Sequence, residues 1–198
     1  MFVAWILAIV GSYVLGTFPT AILVGRRKGV DPTKEGSGNP GATNMYRTAG
    51  KAAGALVLLG DALKGLISAL VGWGIDNKVL GCARWAAAVV GHIFPVTRRF
   101  RGGKGMATAG GGVIALFWPI AIIGITVFAG VVKLTKRGSV GSLAACVVVP
   151  TFVAIWGYPG AQVAFSAGVF GLCALRHWSN IKRLVAGSET AVVGRASQ

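Results

Sequence analysis

The stretch MATAGGGVIALFWPIAIIGITVFAGVV occupies residues 106–132 and contains no charged residue. An α-helix needs about 20 apolar residues to cross the hydrocarbon core of a bilayer. The stretch is longer than one such span and too short for two full ones. It therefore predicts either one long, tilted helix or two short helices, and the choice between them sets the topology of the whole chain.

The composition of the whole chain is typical of a membrane protein. Of its 198 residues, 54% are hydrophobic and only 13% are charged. A core of this size cannot hide so much apolar surface from water, so we expect one domain with lipid as its solvent. The other apolar runs cover residues 2–25, 52–75, 79–97, 142–157 and 160–175. No basic residue precedes Arg26, which predicts a retained first span rather than a secretory signal.

The charges between these runs indicate which side of the membrane each loop faces. Lys and Arg number 20 against 5 acidic residues, a net charge of +15. Because the basic residues lie between apolar runs, the positive-inside rule explains them better than binding to nucleic acid does. The basic loops 98–104 and 133–137 should both be cytoplasmic, which requires a helical hairpin between them. Pro119 favours a break near Trp118, since a proline disfavours helix at the residue before it.

These assignments predict an all-α integral membrane protein, a bundle of seven transmembrane helices. The N-terminus would lie outside and the C-terminus in the cytoplasm. The turns at 76–78 and 158–160, which carry no net charge, would face outside. Both helices of the 106–132 hairpin would be short. A six-span arrangement, with a single helix over 106–132, is the alternative.

The first motif is Gly-Ser-Gly-Asn-Pro-Gly-Ala-Thr-Asn at residues 36–44, followed by Arg47. Glycine-rich backbone with Ser, Thr and Asn side chains can form a concavity of N–H groups that binds anions. A helix beginning near Pro40 would add its N-terminal dipole, and Arg47 would suit a phosphate group. On composition alone, a plain flexible loop is an equally good interpretation.

The second motif combines Gly-His-Ile-Phe-Pro-Val at residues 91–96 with Gly-Gly-Lys-Gly at 102–105. It is not a Walker A sequence, because Gly105 stands where Ser or Thr would hold Mg²⁺. Lys104 on a glycine-flanked loop still suits phosphate as a point charge. The neighbouring basic residues, Arg98, Arg99 and Arg101, are explained by topology alone.

Two further motifs follow. Within residues 138–142, Ser139 or Ser142 would either cap a helix or bind an anion at its N-terminus. His177 and Asn180 are three residues apart and share one face of a helix. A histidine in such a place is more often structural than a base, but its position among phosphate-binding loops favours a functional role.

Asp61 and Lys64 are also three residues apart, within the second apolar run. Ionisable residues inside a membrane usually pair, so we expect a structural ion pair first and orientation of an active-site loop second. The five scattered carboxylates argue against a Mg²⁺-dependent phosphatase. No GxSxG nucleophile motif is present. We therefore expect neither a metal nor a cofactor.

The four motifs, in this order, resemble those of the bacterial acyl-phosphate:glycerol-3-phosphate acyltransferases. The likeness rests on residues 36–44 with Arg47, 91–96 with 102–105, 138–142, and the pattern of His177, Asn180, Arg183, Leu184, Gly187 and Glu189. It makes residues 1–189 a single acyltransferase domain. Residues 190–198 lie outside it and are predicted to form a disordered tail.

The resemblance implies transfer of a fatty acyl group from acyl phosphate to the 1-hydroxyl of sn-glycerol 3-phosphate. The products would be lysophosphatidic acid and inorganic phosphate, in the first acylation of phospholipid synthesis, without a covalent acyl-enzyme. The site would face the cytoplasm from the inner membrane, and our working assumption is a monomer in contact with membrane lipid.

The resemblance also assigns roles to residues. Those implied for acyl phosphate are Ser37, Gly38, Asn39, Gly41, Thr43 and Asn44. Those implied for glycerol 3-phosphate are Arg47, Lys104, Ser142, His177 and Asn180, of which all but Arg47 would also be catalytic. Supporting residues would be His92, Gly102, Gly103, Asp61, Lys64, Arg183 and Glu189.

Two questions stay open at this point. The base that accepts the hydroxyl proton is either His177 or the departing phosphate. A membrane transporter of an organic phosphate is the alternative function, since Asp61 and Lys64 inside glycine-interrupted helices would suit one. A lipid pyrophosphate phosphatase is a weaker option.

Overall fold

The structure is a computed structural model that describes residues 2–73 and 78–192. Its α-helices are α1 (Phe2–Gly16), α2 (Thr20–Arg27), α3 (Ala42–Ala49), α4 (Lys51–Trp73), α5 (Lys78–Ile93), α6 (Met106–Leu116), α7 (Trp118–Thr135), α8 (Gly138–Ile155), α9 (Gly160–Arg176) and α10 (Trp178–Val185). A short 3₁₀ helix covers Val96–Arg98. The all-α prediction is confirmed for the described residues, while most of the predicted turn at 76–78 lies outside them.

Among the described residues, five apolar helical stretches are long enough to cross a membrane: Phe2–Arg27, Lys51–Val71, Lys78–Arg98, Trp118–Thr135 and Gly138–Ile155. The helices α6 and α9 are also apolar but shorter. Many large hydrophobic side chains on these helices face outward; Phe2 and Leu7, for example, are 77% and 66% exposed. Such an apolar surface is stable in lipid and costly in water.

The first apolar run has the length of a membrane span, as predicted, but its helix is interrupted. The chain leaves the helical path after Gly16 and resumes it at Thr20. Pro19 causes the break, because it lacks an amide hydrogen and disfavours helix at Phe18. At the break the Phe18 carbonyl accepts two hydrogen bonds, one of 3.0 Å from the Thr20 amide and one of 2.6 Å from the Lys64 ammonium.

The predicted break in the 106–132 stretch is confirmed. Phe117, with φ −140° and ψ 49°, separates α6 from α7, and Pro119 lies in the first turn of α7. Met106 at the start of α6 and Phe128 in the second half of α7 line the same cavity, which shows that the chain reverses direction here. The prediction of two short helices is correct for α6, with 11 residues, and wrong for α7, whose 18 residues reach spanning length.

The core of the bundle is built around Trp85 of α5. Its ring centroid lies 6.3 Å from the rings of both Phe117 and Phe170. Its indole nitrogen donates a 3.1 Å hydrogen bond to the carbonyl of Ala109. The ring lies directly on Gly112 of α6, where a Cβ atom would come within 2.0 Å of it. Glycine at this position therefore allows α6 to pack against α5.

The α4 and α6 helices are also in direct backbone contact. A Cβ atom on Gly65 would lie 1.9 Å from the Thr108 carbonyl oxygen, and one on Gly111 would lie 1.9 Å from that of Ala62. Glycine at these two positions therefore allows the backbones of α4 and α6 to approach closely. This contact holds the start of α6, and with it the preceding glycine-rich loop, beside the middle of α4.

Candidate active site

One cavity of about 140 Å³ brings residues from all four motifs together. The predicted residues that line it are Ser37, Asn39, Gly41, Thr43, Asn44, Arg47, Asp61, His92, Lys104, Ser142, His177, Asn180, Arg183 and Glu189. Gly38, Lys64, Gly102 and Gly103 do not line it. The amides of Gly102 and Gly103 donate instead to the carbonyls of Ile93 and His92, so they hold the loop and are not free for an anion.

Asn44 organises the first motif. Its Oδ1 accepts a 2.8 Å hydrogen bond from the Ser37 amide, and its Nδ2 donates to the carbonyls of Pro32 and Glu35 at 3.1 and 3.0 Å. Both Nδ2 hydrogens are therefore used, and the side chain is buried. In this arrangement Asn44 shapes the loop and has no donor left for phosphate, which corrects its predicted role.

The helix that follows this loop begins near Pro40, as predicted. Its first residue is Ala42 and its N-cap is Gly41. Gly41 and Thr43 line the cavity, so the first turn of α3 faces it. This short helix also carries Arg47 to the cavity, one turn beyond Thr43.

Lys104 and Asn180 form a direct contact across the cavity. The Lys104 ammonium donates to the side-chain oxygen of Asn180, and the Asn180 amide donates to Glu189 Oε1 at 2.6 Å. Burial lowers the pKa of Lys104 to about 8, an effect that Glu189 opposes and Arg183 reinforces. The ammonium is therefore still largely charged at neutral pH.

Glu189 joins two further residues to this contact. Its Oε1 also accepts from the Ser139 hydroxyl, and its Oε2 accepts from the Arg183 guanidinium, both at 2.7 Å. Burial alone would raise the pKa of Glu189, but hydrogen bonds from Ser139, Asn180 and Arg183 outweigh it and lower the pKa. The charged carboxylate thus joins the start of α8 to α10.

The third motif does not cap its helix, contrary to one of the two predictions for it. Arg137 is the N-cap of α8 and makes no side-chain capping hydrogen bond, so Ser139 and Ser142 both lie inside the helix. Both serines are buried and line the cavity. The sequence pattern indicated both Ser139 and Ser142 as candidates. The hydrogen-bond partner of Ser139, Glu189, lies 50 residues away and could not be predicted from the motif.

Arg47 is held by a residue beyond the fourth motif. Its Nε and Nη2 donate to the Ala191 carbonyl at 3.1 and 3.0 Å. The Val192 amide in turn donates to the carbonyl of Lys136 at 2.8 Å. Ala191 and Val192, which belong to the predicted disordered tail, are therefore held against the bundle, and residues 193–198 lie outside the described structure. Sequence reasoning missed Ala191, because a backbone carbonyl leaves no residue-type signal.

His177 is buried where α9 meets α10. Its Nδ1 lies 2.8 Å from the Cys173 carbonyl, which makes Nδ1 the protonated nitrogen of the neutral ring and leaves Nε2 as an acceptor. Burial lowers the pKa of His177 to about 4, although its hydrogen bond to Cys173 raises it. The ring is therefore neutral at pH 7.

Asp61 and Lys64 form the predicted ion pair, which is confirmed at 2.6 Å between Lys64 Nζ and Asp61 Oδ1. Both side chains are almost fully buried, at 3% and 4% exposed. The Nδ1 atom of His92 lies 3.7 Å from the same carboxylate oxygen. The pair therefore contacts a second histidine that faces the cavity.

The cavity suits a ligand with an anionic head and an apolar tail. Arg47, Lys104 and Arg183 supply positive charge, while Leu58, Met106 and Phe128 form an apolar part of the wall. Among residues 2–73 and 78–192, no group of three His, Cys, Asp or Glu side chains is arranged to hold a metal ion. Charge-assisted hydrogen bonds from lysine and arginine are the means of anion binding available here.

Comparison with known proteins agrees with this geometry. A sequence model of the glycerol-3-phosphate acyltransferase family matches residues 6–187. The chain is 41% identical to a glycerol-3-phosphate acyltransferase of Methylococcus capsulatus, over 94% of this chain and 95% of that one. It is 42% identical to one of Pseudomonas aeruginosa, over 93% of this chain and 97% of that one.

Two solved structures of PlsY (YgiH), an integral membrane glycerol 3-phosphate acyltransferase, have the same fold. One is the glycerol 3-phosphate form, with a TM-score of 0.90, and the other is the lysophosphatidic acid form, with a TM-score of 0.88. Each is 35% identical to this chain and matches 95% of both chains. On sequence and structure together, this multi-pass membrane protein belongs to the glycerol-3-phosphate acyltransferase family.

Proposed function

We propose that this protein transfers a fatty acyl group from acyl phosphate to the 1-hydroxyl of glycerol 3-phosphate, forming lysophosphatidic acid and inorganic phosphate. The observation that carries the proposal is the cavity itself, where Arg47, Lys104 and Arg183 face an apolar wall. Both substrates have an anionic group, and the acyl donor adds an apolar chain. Family membership supports glycerol 3-phosphate as the acceptor.

The two substrates divide the cavity between them. Acyl phosphate is bound by the first motif, through Ser37, Asn39, Gly41 and Thr43. Asn44 and Gly38, whose amide donates to the Glu35 carbonyl, maintain the shape of the loop. Glycerol 3-phosphate is bound by Arg47, Lys104, Ser142, His177 and Asn180. The arrangement is supported by their positions, since the first set lies on one loop and the adjoining first turn of α3, and the second comes from four separate segments.

Acyl phosphate is an activated mixed anhydride, so the protein mainly positions the reactants and stabilises developing charge. The 1-hydroxyl oxygen attacks the acyl carbonyl carbon, and the bond from that carbon to the phosphate oxygen breaks. The carbonyl oxygen gains negative charge in the transition state, which nearby cationic and N–H groups stabilise. The hydroxyl proton leaves with the phosphate.

The departing phosphate is a better proton acceptor than His177. A base is most effective when its pKa is near the working pH, whereas burial holds the pKa of His177 near 4. The departing phosphate oxygen gains negative charge as its bond to the acyl carbon breaks, so its basicity rises as the hydroxyl proton is released. His177 instead accepts a hydrogen bond at Nε2 and orients the acceptor. His177→Ala should then mainly raise KM for glycerol 3-phosphate, whereas loss of turnover with binding intact would assign the base to His177.

We also propose seven membrane spans, with the N-terminus outside and the site facing the cytoplasm from the inner membrane. Residues 1–189 then form a single domain that acts as a monomer. The basic loops lie at the cavity end of the helices, as the positive-inside rule requires of a cytoplasmic face. A reporter fused near Trp118 should be found outside, and a cytoplasmic signal there would contradict the hairpin topology.

The function is tested by phosphate release from purified, lipid-reconstituted protein given palmitoyl phosphate and glycerol 3-phosphate, with EDTA present. The expected result is release that depends on the acceptor, formation of lysophosphatidic acid, and an inactive Lys104→Ala variant. Release without acceptor would indicate a phosphatase. No release, with uptake of glycerol 3-phosphate into sealed vesicles, would indicate a transporter.

A further inference from the structure

A buried polar cluster lies directly behind the cavity, formed by Asp61, Lys64 and His92. His92 separates two spaces: it lines the main cavity together with Lys104, and a smaller cavity of about 20 Å³ together with Lys64. Its side chain is 9% exposed. The residues proposed to bind the two substrates include none of these three. Their role is therefore expected to be indirect, through the residues that they contact.

His92 contacts the loop that carries Lys104 through both backbone and ring. The Gly103 amide donates to the His92 carbonyl at 3.2 Å, and the Gly102 amide donates to Ile93 at 3.1 Å. The ring lies against Gly103, where a Cβ atom would come within 2.2 Å of His92 Nε2. The position of the His92 ring therefore limits where the residue next to Lys104 can lie.

The His92 ring also lies beside the ion pair. Its Nδ1 lies 3.7 Å from Asp61 Oδ1, the same oxygen that the Lys64 ammonium contacts at 2.6 Å. Lys64 is anchored on its other side by the Phe18 carbonyl, which also accepts a 3.0 Å hydrogen bond from the Thr20 amide at the break before α2. Buried charges of this kind hold a fixed geometry when they are paired and hydrogen-bonded.

We infer that Asp61 and His92 are positioning residues for the reaction: they hold the Gly102–Gly105 loop so that the Lys104 ammonium meets the phosphate of glycerol 3-phosphate. The inference rests on the proposed function. It gives a role to a buried ion pair at the edge of the cavity, to which the proposed substrate arrangement assigns none. It also explains the two adjacent glycines, since side chains there would collide with His92.

The inference is tested with His92→Asn, Gly103→Ala and the double variant. Asparagine keeps a nitrogen donor toward Asp61 but removes the part of the ring that touches Gly103. Each single variant should raise KM for glycerol 3-phosphate about tenfold with a smaller change in kcat, as expected when one charge-assisted contact is displaced. In the double variant the added methyl group occupies the space left by the ring. Its KM should therefore be no higher than that of the worse single variant.

Two control variants make the comparison specific. Gly110→Ala adds a methyl group where nothing lies within 4 Å. Ser68→Ala removes a buried hydroxyl that has no hydrogen-bond partner among the described residues, on the same helix as Asp61. Both should retain wild-type KM. Asp61→Asn, which keeps the size of the side chain but removes the charge that orients His92, should raise KM as His92→Asn does.

The outcomes separate this inference from the proposed function. Wild-type protein that forms no lysophosphatidic acid refutes the function itself. Active wild type whose variants lose kcat at unchanged KM overturns the inference, because the cluster then supports only folding. A double variant whose KM is raised about a hundredfold would also overturn the inference. The effects of the two single variants would then multiply, which shows that the His92 ring and Gly103 act independently.

Discussion

The Lys104 ammonium donates a hydrogen bond to the side-chain oxygen of Asn180, 76 residues further along the chain. The amide nitrogen of the same Asn180 donates to Glu189 Oε1 at 2.6 Å. Because Lys104 is the donor on one side and Glu189 the acceptor on the other, the Asn180 amide can satisfy both in only one of its two flipped orientations. The contact joins the loop before α6 to α10 and places both at the cavity.

This bridge makes Asn180→Asp a damaging substitution despite its equal size. The new carboxylate would lie opposite Glu189, replacing a hydrogen bond with repulsion between like charges. We expect kcat/KM to fall at least about tenfold, the cost of losing one hydrogen bond to a charged group. Adding Glu189→Gln should restore part of the activity, because its amide can donate to the new carboxylate. Equal activity of the single and double variants in the acyltransfer assay would contradict this account.

Lys104 should determine the alkaline limit of activity. Its pKa is lowered to about 8, so the charged form that binds phosphate predominates below that pH and is lost above it. We expect kcat/KM for glycerol 3-phosphate to be level near pH 7 and to fall about tenfold per pH unit well above pH 8. In Lys104→Arg, whose guanidinium stays charged, any remaining activity should show no such decline. An unchanged decline in that variant would assign it to another group.

Asn44→Asp should disrupt the first motif although the side chain keeps its shape. One carboxylate oxygen can still accept from Ser37, but the other would face the carbonyls of Pro32 and Glu35 without a hydrogen to donate. Leaving these buried groups unpaired should cost about 1–3 kcal/mol of stability. Thermal unfolding in detergent measures this, together with KM for acyl phosphate. A wild-type midpoint and KM would show that the loop keeps its shape without these bonds.

Adjacent glycines in α6 should differ sharply in their tolerance of alanine. A Cβ atom on Gly111 would lie 1.9 Å from the Ala62 carbonyl oxygen, whereas nothing lies within 4 Å of one on Gly110. Gly111→Ala should therefore push α6 away from α4 and destabilise the fold by about 1–3 kcal/mol, while Gly110→Ala should be neutral. Thermal unfolding of the two variants in the same detergent gives the comparison, and equal midpoints would contradict the close α4–α6 packing.

The sequence by itself determined the membrane class, the helical fold, the break before Pro119 and the four motifs around the cavity. These features depend on short-range properties: the length of an apolar run, the sign of loop charges and the backbone restriction imposed by a proline. The break before Pro19 follows from the same rule and was missed because the apolar run continues through it.

Only the tertiary structure decided what each polar side chain contacts. Asn44 uses its donors within its own loop, Arg47 is held by the carbonyl of Ala191, and Glu189 joins Ser139 to Arg183. Motif composition cannot distinguish a side chain that binds phosphate from one that shapes the loop around it. The physical reason is that a donor's availability depends on which acceptors the fold brings near it. In this site one acceptor, the Ala191 carbonyl, lies more than 100 residues from its donor Arg47.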